Sequence, residues 1–124
     1  MAPAGFDTII ERLIRFRDER DWEQFHTSRD LALALSIEAA ELNELFLWKG
    51  SECADQDKLA QELADVLIFA LLLAHKHGLN VEEIILQKIQ QNEEKYPVAQ
   101  SKGSNRKYTE LGSADSHRDN KAAD

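Results

Sequence analysis

The 124-residue sequence has a single cysteine, only two prolines and five glycines, and no long apolar run. Because Cys53 has no second cysteine to pair with, an intramolecular disulfide framework is excluded, which is typical of a reducing compartment. The longest apolar stretch, residues 66–74, is too short to span a bilayer. The first residues lack the charged-then-apolar layout of a signal peptide. We therefore expect a cytoplasmic protein with no membrane partner.

Positive charge is also scarce, since 15 basic residues face 23 acidic ones and the formal net charge is −8. A nucleic acid polymer is an unsuitable main partner, because binding to a phosphate backbone needs a basic face. A nucleotide carried on a metal ion is not excluded. The apolar content of 43% suits one globular domain, which we place at residues 1–111. Residues 112–124 are polar, lack aromatic side chains, and are expected to be disordered.

Few helix breakers and a helical spacing of apolar residues predict an all-α fold. The second and third predicted helices are apolar on more than one face, so a lone chain would leave apolar surface exposed. We therefore expect the chain to form oligomers with itself. The predicted helices cover residues 6–20, 28–49 and 57–77, and a fourth follows Asn80 and ends by Tyr96-Pro97.

Two pairs of acidic residues stand out, Glu38 with Glu41 and Glu62 with Asp65. Each pair is spaced i, i+3, which places both side chains on one face of a helix. Gly50 lies in a short connection between the pairs, so the two helices are expected to run antiparallel. Glu41 then lies opposite Glu62, and Glu38 lies opposite Asp65.

Four carboxylates at one height of a helical hairpin, beside apolar neighbours, are costly unless protons or a cation neutralise them. Ligands that are all oxygen favour a hard divalent ion, so Mg²⁺ is the expected metal, with Mn²⁺ as the other choice. The alternative is that the acids are simply solvated, since such pairs occur on many exposed helices.

Other groups could contact a ligand. Trp22, Phe25 and His26 lie in a predicted loop before the second helix, and aromatic side chains in loops can stack on a base, although core packing is the alternative. Lys88, Asn92 and Lys95 repeat at i, i+4, i+7, which gives a stripe able to reach phosphates, or an ordinary exposed face. No glycine-rich phosphate loop and no Ser/His/Asp or Cys/His grouping is evident.

The acidic pairs have the ExxE and ExxD form of the MazG-like all-α nucleoside triphosphate pyrophosphatases. The chain resembles the dCTP pyrophosphatase branch of that family over residues 6–111. The loop and tail strings are far more specific than the acidic motif. They are RDWEQFH at residues 20–26, WK at 48–49, YP at 96–97 and RKYTEL at 106–111.

The resemblance implies a four-helix MazG-like bundle that assembles as a homotetramer, a dimer of dimers. It implies that Glu38, Glu41, Glu62 and Asp65 hold Mg²⁺. It also implies a set of contacts to a nucleoside triphosphate, with Trp48 near the base: Trp22, Glu23, Gln24, Phe25, His26, Trp48, Phe69, Lys88, Asn92, Lys95, Arg106, Lys107 and Tyr108.

The implied reaction is hydrolysis between the α- and β-phosphates of dCTP or a modified dCTP, which yields the monophosphate and pyrophosphate and clears a nucleotide pool. Glu38 or Glu41 would orient or deprotonate the attacking water. Two positions depart from the branch pattern, because Leu13 replaces a histidine and Phe69 replaces a tyrosine. Since Phe69 cannot donate a hydroxyl hydrogen bond, the base and sugar preference stays open.

Three alternatives belong to other substrates or classes. The same chemistry can act on another nucleotide, such as dUTP or phosphoribosyl-ATP, which the aromatic loop disfavours. A di-iron bundle would need a histidine three residues after a glutamate, and neither Glu41 nor Glu62 has one. A non-catalytic helical dimerisation module would need no metal. The number of Mg²⁺ ions, the identity of the general base and the sharing of the pocket between subunits stay open.

Overall fold

The computed structural model describes residues 5–48 and 54–105, and every regular element in these two stretches is helical. This confirms the predicted all-α class. A short 3₁₀ turn at Glu23–Phe25 lies within the predicted loop, and a one-turn helix follows Pro97; neither was predicted. The helices are α1 (Phe6–Glu19), α2 (Ser28–Glu44), α3 (Gln56–Lys76), α4 (Val81–Lys95) and α5 (Val98–Ser101).

Side-chain caps fix where α2 and α3 begin. The Thr27 hydroxyl accepts a hydrogen bond from the backbone N–H of Asp30 at 3.1 Å. The Asp55 carboxylate accepts from the backbone N–H groups of Asp57 and Lys58 at 2.9 and 3.1 Å. These caps satisfy donors that have no partner within the helix, so both helices begin close to the predicted residues.

The end of α2 differs from the prediction, because the helix stops at Glu44 instead of residue 49. Past Glu44 the backbone closes tighter turns, in which the N–H groups of Phe46 and Leu47 bond to the carbonyls three residues earlier. Trp48 then adopts a φ of 63°, which no α-helix continues. Helical periodicity does not distinguish these tighter turns from a last turn of α-helix.

The chain divides into two compact units after Val81. In the first unit α2 packs along α3 as the predicted hairpin, and α1 packs against α3. Its core is a cluster of Leu71, Ala74 and Val81, with Ile10 and Leu13 of α1 packed against it. Gly78, at a φ of +65°, lets the chain leave α3, because this left-handed conformation suits glycine.

The second unit contains α4 beyond its first residue, and α5. Lys88, Asn92 and Lys95 lie on α4, which ends one residue before Tyr96. Tyr96 donates its backbone N–H to the Asn92 carbonyl at 2.8 Å. Arg106, Lys107, Tyr108 and the predicted tail at 112–124 lie outside the described residues.

Apolar side chains remain exposed on both helices of the hairpin. Leu33 and Ile37 lie one turn apart on α2, and Leu63 and Leu67 lie one turn apart on α3; all are exposed, and Leu67 retains 53% of its surface. Among the residues that the structure describes, none of the helices combines the length and apolar character needed to cross a bilayer.

Candidate functional site

Three of the four predicted acids meet between α2 and α3. Glu38, Glu41 and Glu62 each place one carboxylate oxygen within 4.8 Å of the other two. Glu38 and Glu41 are one turn apart on α2, and Glu62 reaches them from α3, as their spacing predicts. Glu38 and Glu62 are half-buried, whereas Glu41 is exposed.

Asp65 stands outside this closest group, but it belongs to the same electrostatic cluster. It is half-buried and lies three residues after Glu62, on the same face of α3. Its negative charge acts on both Glu38 and Glu62 and raises the pKa of each. The fourth acid therefore completes a patch of four carboxylates on the hairpin.

Glu38 and Glu62 have raised pKa values, so these two carboxyl groups hold protons more tightly than isolated side chains do. Hydrogen bonding between the carboxyl groups of Glu38 and Glu41 is the main cause that raises the pKa of Glu38, followed by burial and the neighbouring charges. Burial is the main cause that raises the pKa of Glu62, followed by the charges of Glu41 and Asp65. Ionising all four groups together is therefore unfavourable without a compensating positive charge.

The oxygen atoms of the cluster suit a hard cation. Glu38 Oε2 and Glu62 Oε2 are shielded from solvent and have no hydrogen-bond partner. Carboxylate oxygens alone, without histidine or cysteine, match the ligands of Mg²⁺, Mn²⁺ or Ca²⁺ better than those of Zn²⁺. A divalent ion at this point would satisfy both oxygens and remove the repulsion.

An apolar cavity of about 540 Å³ lies between α1, the segment before α2, and α3. Phe69, which forms part of its wall, follows Asp65 by one turn of α3, an axial distance of about 6 Å. The cavity is large enough for a small organic ligand, and most of its wall consists of hydrocarbon side chains. Its lining includes Ile9, Leu13, Phe16, Trp22, Ile68 and Phe69, with Arg12 and Thr8 among the polar members.

A smaller cavity of about 230 Å³ adjoins the apolar one. Arg17, His26 and Leu72 form part of the wall of both cavities. The rest of its lining is mostly ionisable, since it includes Glu23, His75 and Lys76. We call these two spaces the apolar cavity and the polar cavity.

The segment between α1 and α2 is held by its own hydrogen bonds and by α1. Asp21 has a φ of 54°, and its carbonyl and carboxylate accept hydrogen bonds from the Gln24 side chain at 3.0 and 3.2 Å. The Trp22 ring meets the Phe16 ring edge-on, with 5.7 Å between centroids. This contact places Trp22 in the cavity wall.

His26 is the imidazole that both cavities share. Burial lowers its pKa, and the positive charge of Arg17 lowers it further, against an opposing effect of Glu23. Its Nδ1 atom is shielded from solvent and has no hydrogen-bond partner. His26 therefore favours the neutral form, which can both donate and accept a hydrogen bond.

The residues expected to contact a nucleotide occupy different places. Trp22, His26 and Phe69 line the apolar cavity, and Glu23 lines the polar one. Phe25 is 63% exposed, and the Gln24 amide is bonded to Asp21. Trp48 is 99% exposed and is not in the wall of either cavity, so its place near a base stays a prediction.

The sequence interpretation missed one wall of the apolar cavity. Ile9, Leu13 and Phe16 follow one another at i, i+4, i+7 on α1, a spacing that is typical of a helix face packed on a core. Leu13 packs on the core, whereas Phe16 and Ile9 remain exposed toward the cavity. A surplus of apolar residues on the first helix indicates an apolar face, but it does not show whether that face packs in a core or lines a ligand cavity. Arg12 and Arg17 gave no signal of their own.

Comparison with known proteins agrees with this geometry. A family model described as the MazG-like family matches residues 33–111. The chain is 41% identical to dCTP pyrophosphatase 1 of Rattus norvegicus and 42% identical to that of Homo sapiens, over 111 residues in each case. Each alignment covers 82% of this chain and 65% of the relative, so the chain spans just under two thirds of the curated relatives' length.

A solved structure shows the same fold. The crystal structure of a pyrophosphatase from Archaeoglobus fulgidus superposes with a TM-score of 0.66 and 33% sequence identity. The match covers 78% of this chain and 96% of the archaeal chain.

Glu62→Gln should have opposite effects on the metal-free and the Mg²⁺-bound protein. Because the raised pKa of Glu62 marks an unfavourable ionised form, the folded state loses stability as the pH rises through that pKa. In EDTA at about pH 8 the variant should therefore melt a few degrees above the wild type, and the difference should shrink as the pH falls through the raised pKa of Glu62 and that group takes up a proton. Added Mg²⁺ should raise the wild-type Tm and have much less effect on the variant.

Thermal melts followed by circular dichroism measure both effects. Glu11→Gln, an exposed acid of α1, is the matched control and should change neither curve. A variant that is destabilised in EDTA at high pH would contradict the assignment of Glu62 to a repulsive cluster.

Proposed function

Since the chain belongs to the MazG-like family, we propose that it is a metal-dependent nucleoside triphosphate pyrophosphohydrolase. The observation that carries the proposal is the convergence of Glu38, Glu41 and Glu62 on a hairpin whose helix α3 also supplies Phe69, about two helical turns beyond Glu62, to a cavity with aromatic walls. A nucleotide needs both features, because its phosphates require charge neutralisation and its base requires a flat apolar surface.

In the proposed complex the base occupies the apolar cavity, against Trp22 and Phe69. Because Asp65 lies one turn from Phe69 on the same face of α3, the phosphates extend from the cavity toward the acids. His26, held neutral, offers a hydrogen bond at the cavity wall. Trp48 is exposed and lies outside the wall of the apolar cavity, so it would have to contact the base from beyond that wall.

Glu38, Glu41, Glu62 and Asp65 would hold Mg²⁺, with Mn²⁺ as a substitute. The ion would supply positive charge to the phosphate oxygens and lower the pKa of a coordinated water. Glu62 meets Glu38 and Glu41 directly, and Asp65, one turn further along α3, is proposed to complete the ligand set from the same helix.

Glu38 or Glu41 is proposed to accept the proton of the attacking water. The raised pKa of Glu38 brings its carboxylate closer to the basicity that proton transfer near neutral pH requires. Hydrolysis of the bond between the α- and β-phosphates then releases the nucleoside monophosphate and pyrophosphate. Lys88, Asn92 and Lys95 of α4, together with Arg106, Lys107 and Tyr108, are proposed to contact the phosphate tail.

The proposed substrate is dCTP or a modified dCTP, and the proposed role is removal of unwanted triphosphates in the cytoplasm. The similarity to proteins named dCTP pyrophosphatase 1 supports this choice. Another nucleotide is the alternative, because Leu13 and Phe69 leave this part of the cavity wall without a hydrogen-bonding side chain. Leu13 and Phe69 are therefore the proposed determinants of base and sugar preference.

We further propose a four-helix bundle that assembles as a homotetramer, a dimer of dimers. The supporting observation is the row of exposed leucine and isoleucine side chains on α2 and α3. Exposed apolar side chains at helical spacing on adjacent helices are typical of a helix–helix interface.

Pyrophosphate release from a panel of dNTPs and NTPs, with Mg²⁺ or with EDTA, tests the activity. We expect Mg²⁺-dependent release that is fastest with dCTP or a modified dCTP, and a loss of at least about 100-fold in kcat in Glu38→Gln. Glu11→Gln should retain full activity. Equal activity in EDTA, or an active Glu38→Gln, would contradict the metal site; no release from any nucleotide by the folded wild type would leave a non-catalytic helical module.

Phe69→Tyr tests the origin of substrate preference. The added hydroxyl extends into the apolar cavity, where it can bond to a nucleotide and must stay unpaired with a ligand that lacks the matching group. The ratio of kcat/KM between dCTP and CTP should therefore change by roughly tenfold, whereas Phe69→Leu should lower kcat/KM for both. Ratios that are unchanged in Phe69→Tyr would place the preference elsewhere.

Sedimentation velocity tests the assembly. The wild type should sediment at four times the mass of one chain, and Leu67→Glu should shift it to smaller species, because a carboxylate would be buried in the interface. Lys58→Glu, at an exposed polar position of α3, is the control and should leave the mass unchanged. A monomeric wild type at micromolar concentration would contradict the proposal.

A further inference from the structure

Arg17 occupies the point where the apolar and polar cavities meet. It lies in the last turn of α1 and contributes to the walls of both cavities. Its side chain is only 13% exposed, although the acids that it contacts are largely exposed. A guanidinium shielded to this degree is held in one place by its partners.

The contacts of Arg17 reach two neighbouring residues of the short segment that follows α1. Its carbonyl accepts a hydrogen bond from the backbone N–H of Trp22 at 3.0 Å. Its guanidinium donates to the carboxylate of the next residue, Glu23, at 3.2 Å. A further hydrogen bond from Nε to Asp18, at 2.9 Å, fixes the guanidinium from the side of α1.

These contacts act on the residues that are proposed to bind the nucleotide. Trp22 directly precedes the 3₁₀ turn Glu23–Phe25, and His26 directly follows it. The Gln24 side chain donates its hydrogen bonds to Asp21, which lies in the same segment, so these bonds do not connect the turn to a helix. Among the described residues, the Arg17–Glu23 ion pair is thus a side-chain tie between the turn and α1.

We propose that Arg17 is a positioning residue for nucleotide binding, which through its ion pair with Glu23 holds Trp22 and His26 in the walls of the two cavities. The proposal rests on the proposed function, because it assigns Trp22 and His26 to the nucleotide. It also gives Glu23 a role other than direct substrate contact, since its carboxylate is engaged by Arg17.

The charges around His26 agree with this role. Arg17 and Lys76 disfavour the imidazolium, Glu23 favours it, and His75 lines the same polar cavity. Arg17 therefore offsets the acid that it holds next to His26. Removal of Arg17 leaves Glu23 unpaired beside the imidazole, which favours a charged His26 in a wall where the neutral form is otherwise favoured.

Tryptophan fluorescence tests the positioning without any assay of activity. The chain has two tryptophans, so Trp48→Phe leaves Trp22 as the only one. In this background Arg17→Met, which keeps a long apolar side chain but removes the ion pair, should increase acrylamide quenching of Trp22 by roughly twofold. Arg15→Met, at an exposed position of α1, is the matched control and should leave quenching unchanged.

Steady-state kinetics in the otherwise wild-type chain test the consequence for binding. Arg17→Met should raise KM for dCTP by about tenfold with kcat within about twofold, because the acids on α2 and α3 are untouched. Glu23→Gln should have a similar effect, and the double variant should be no worse than either single one, since both remove the same ion pair. Arg17→Lys, which keeps the charge, should restore part of the loss.

Each outcome decides the proposal. Increased Trp22 quenching together with a raised KM and non-additive variants supports it, whereas unchanged quenching or fully additive effects overturn it. A loss confined to kcat overturns it as well. If the wild type releases no pyrophosphate, the proposed function fails, and the quenching comparison still decides whether Arg17 positions the turn. If Arg17→Met does not fold, Arg17→Lys with Glu23→Gln carries the same comparison.

Discussion

Repulsion among the carboxylates of the α2–α3 hairpin is the constraint on which the rest of the site depends. The pKa values of Glu38 and Glu62 are raised because their ionised forms are crowded and partly desolvated. Helix packing nevertheless holds Glu38, Glu41 and Glu62 together, so the free energy of burying apolar side chains elsewhere in the unit offsets this cost. A destabilising cluster of this kind is typical of a functional site, where a bound ligand removes the repulsion.

Helix α3 connects the two halves of the proposed site. One face carries Glu62, Asp65 and Phe69 in successive turns, so the acids and the cavity have a fixed spacing that no loop can alter. The same helix supplies Leu71 and Ala74 to the core. A rigid element that is buried on one face and carries the proposed metal ligands on another would give the precision that phosphate chemistry requires.

The sequence predicted the parts of this site that depend on local rules. Helical periodicity located α2 and α3, and i, i+3 spacing with a short connection predicted that Glu41 and Glu62 would meet. It did not predict the end of α2, where 3₁₀-type hydrogen bonds compete closely with α-helical ones. Nor did it predict the cavities. These form only when α1 packs on α3, and the residues that make this contact are far apart in the sequence. In the sequence Arg17 does not differ from the other basic residues of the first helix, because its contact with Glu23 depends on how the turn after α1 folds back.

Charge also couples the two proposed ligands of the site. The chain carries a formal net charge of −8, and in the proposed complex the triphosphate lies next to four carboxylates. Binding of a metal-free nucleotide there would be opposed by both long-range and local repulsion. A divalent ion would remove the local part by satisfying Glu38 Oε2 and Glu62 Oε2, the two shielded oxygens without partners. Metal and nucleotide binding would then be thermodynamically coupled, and each would strengthen the other by the same factor.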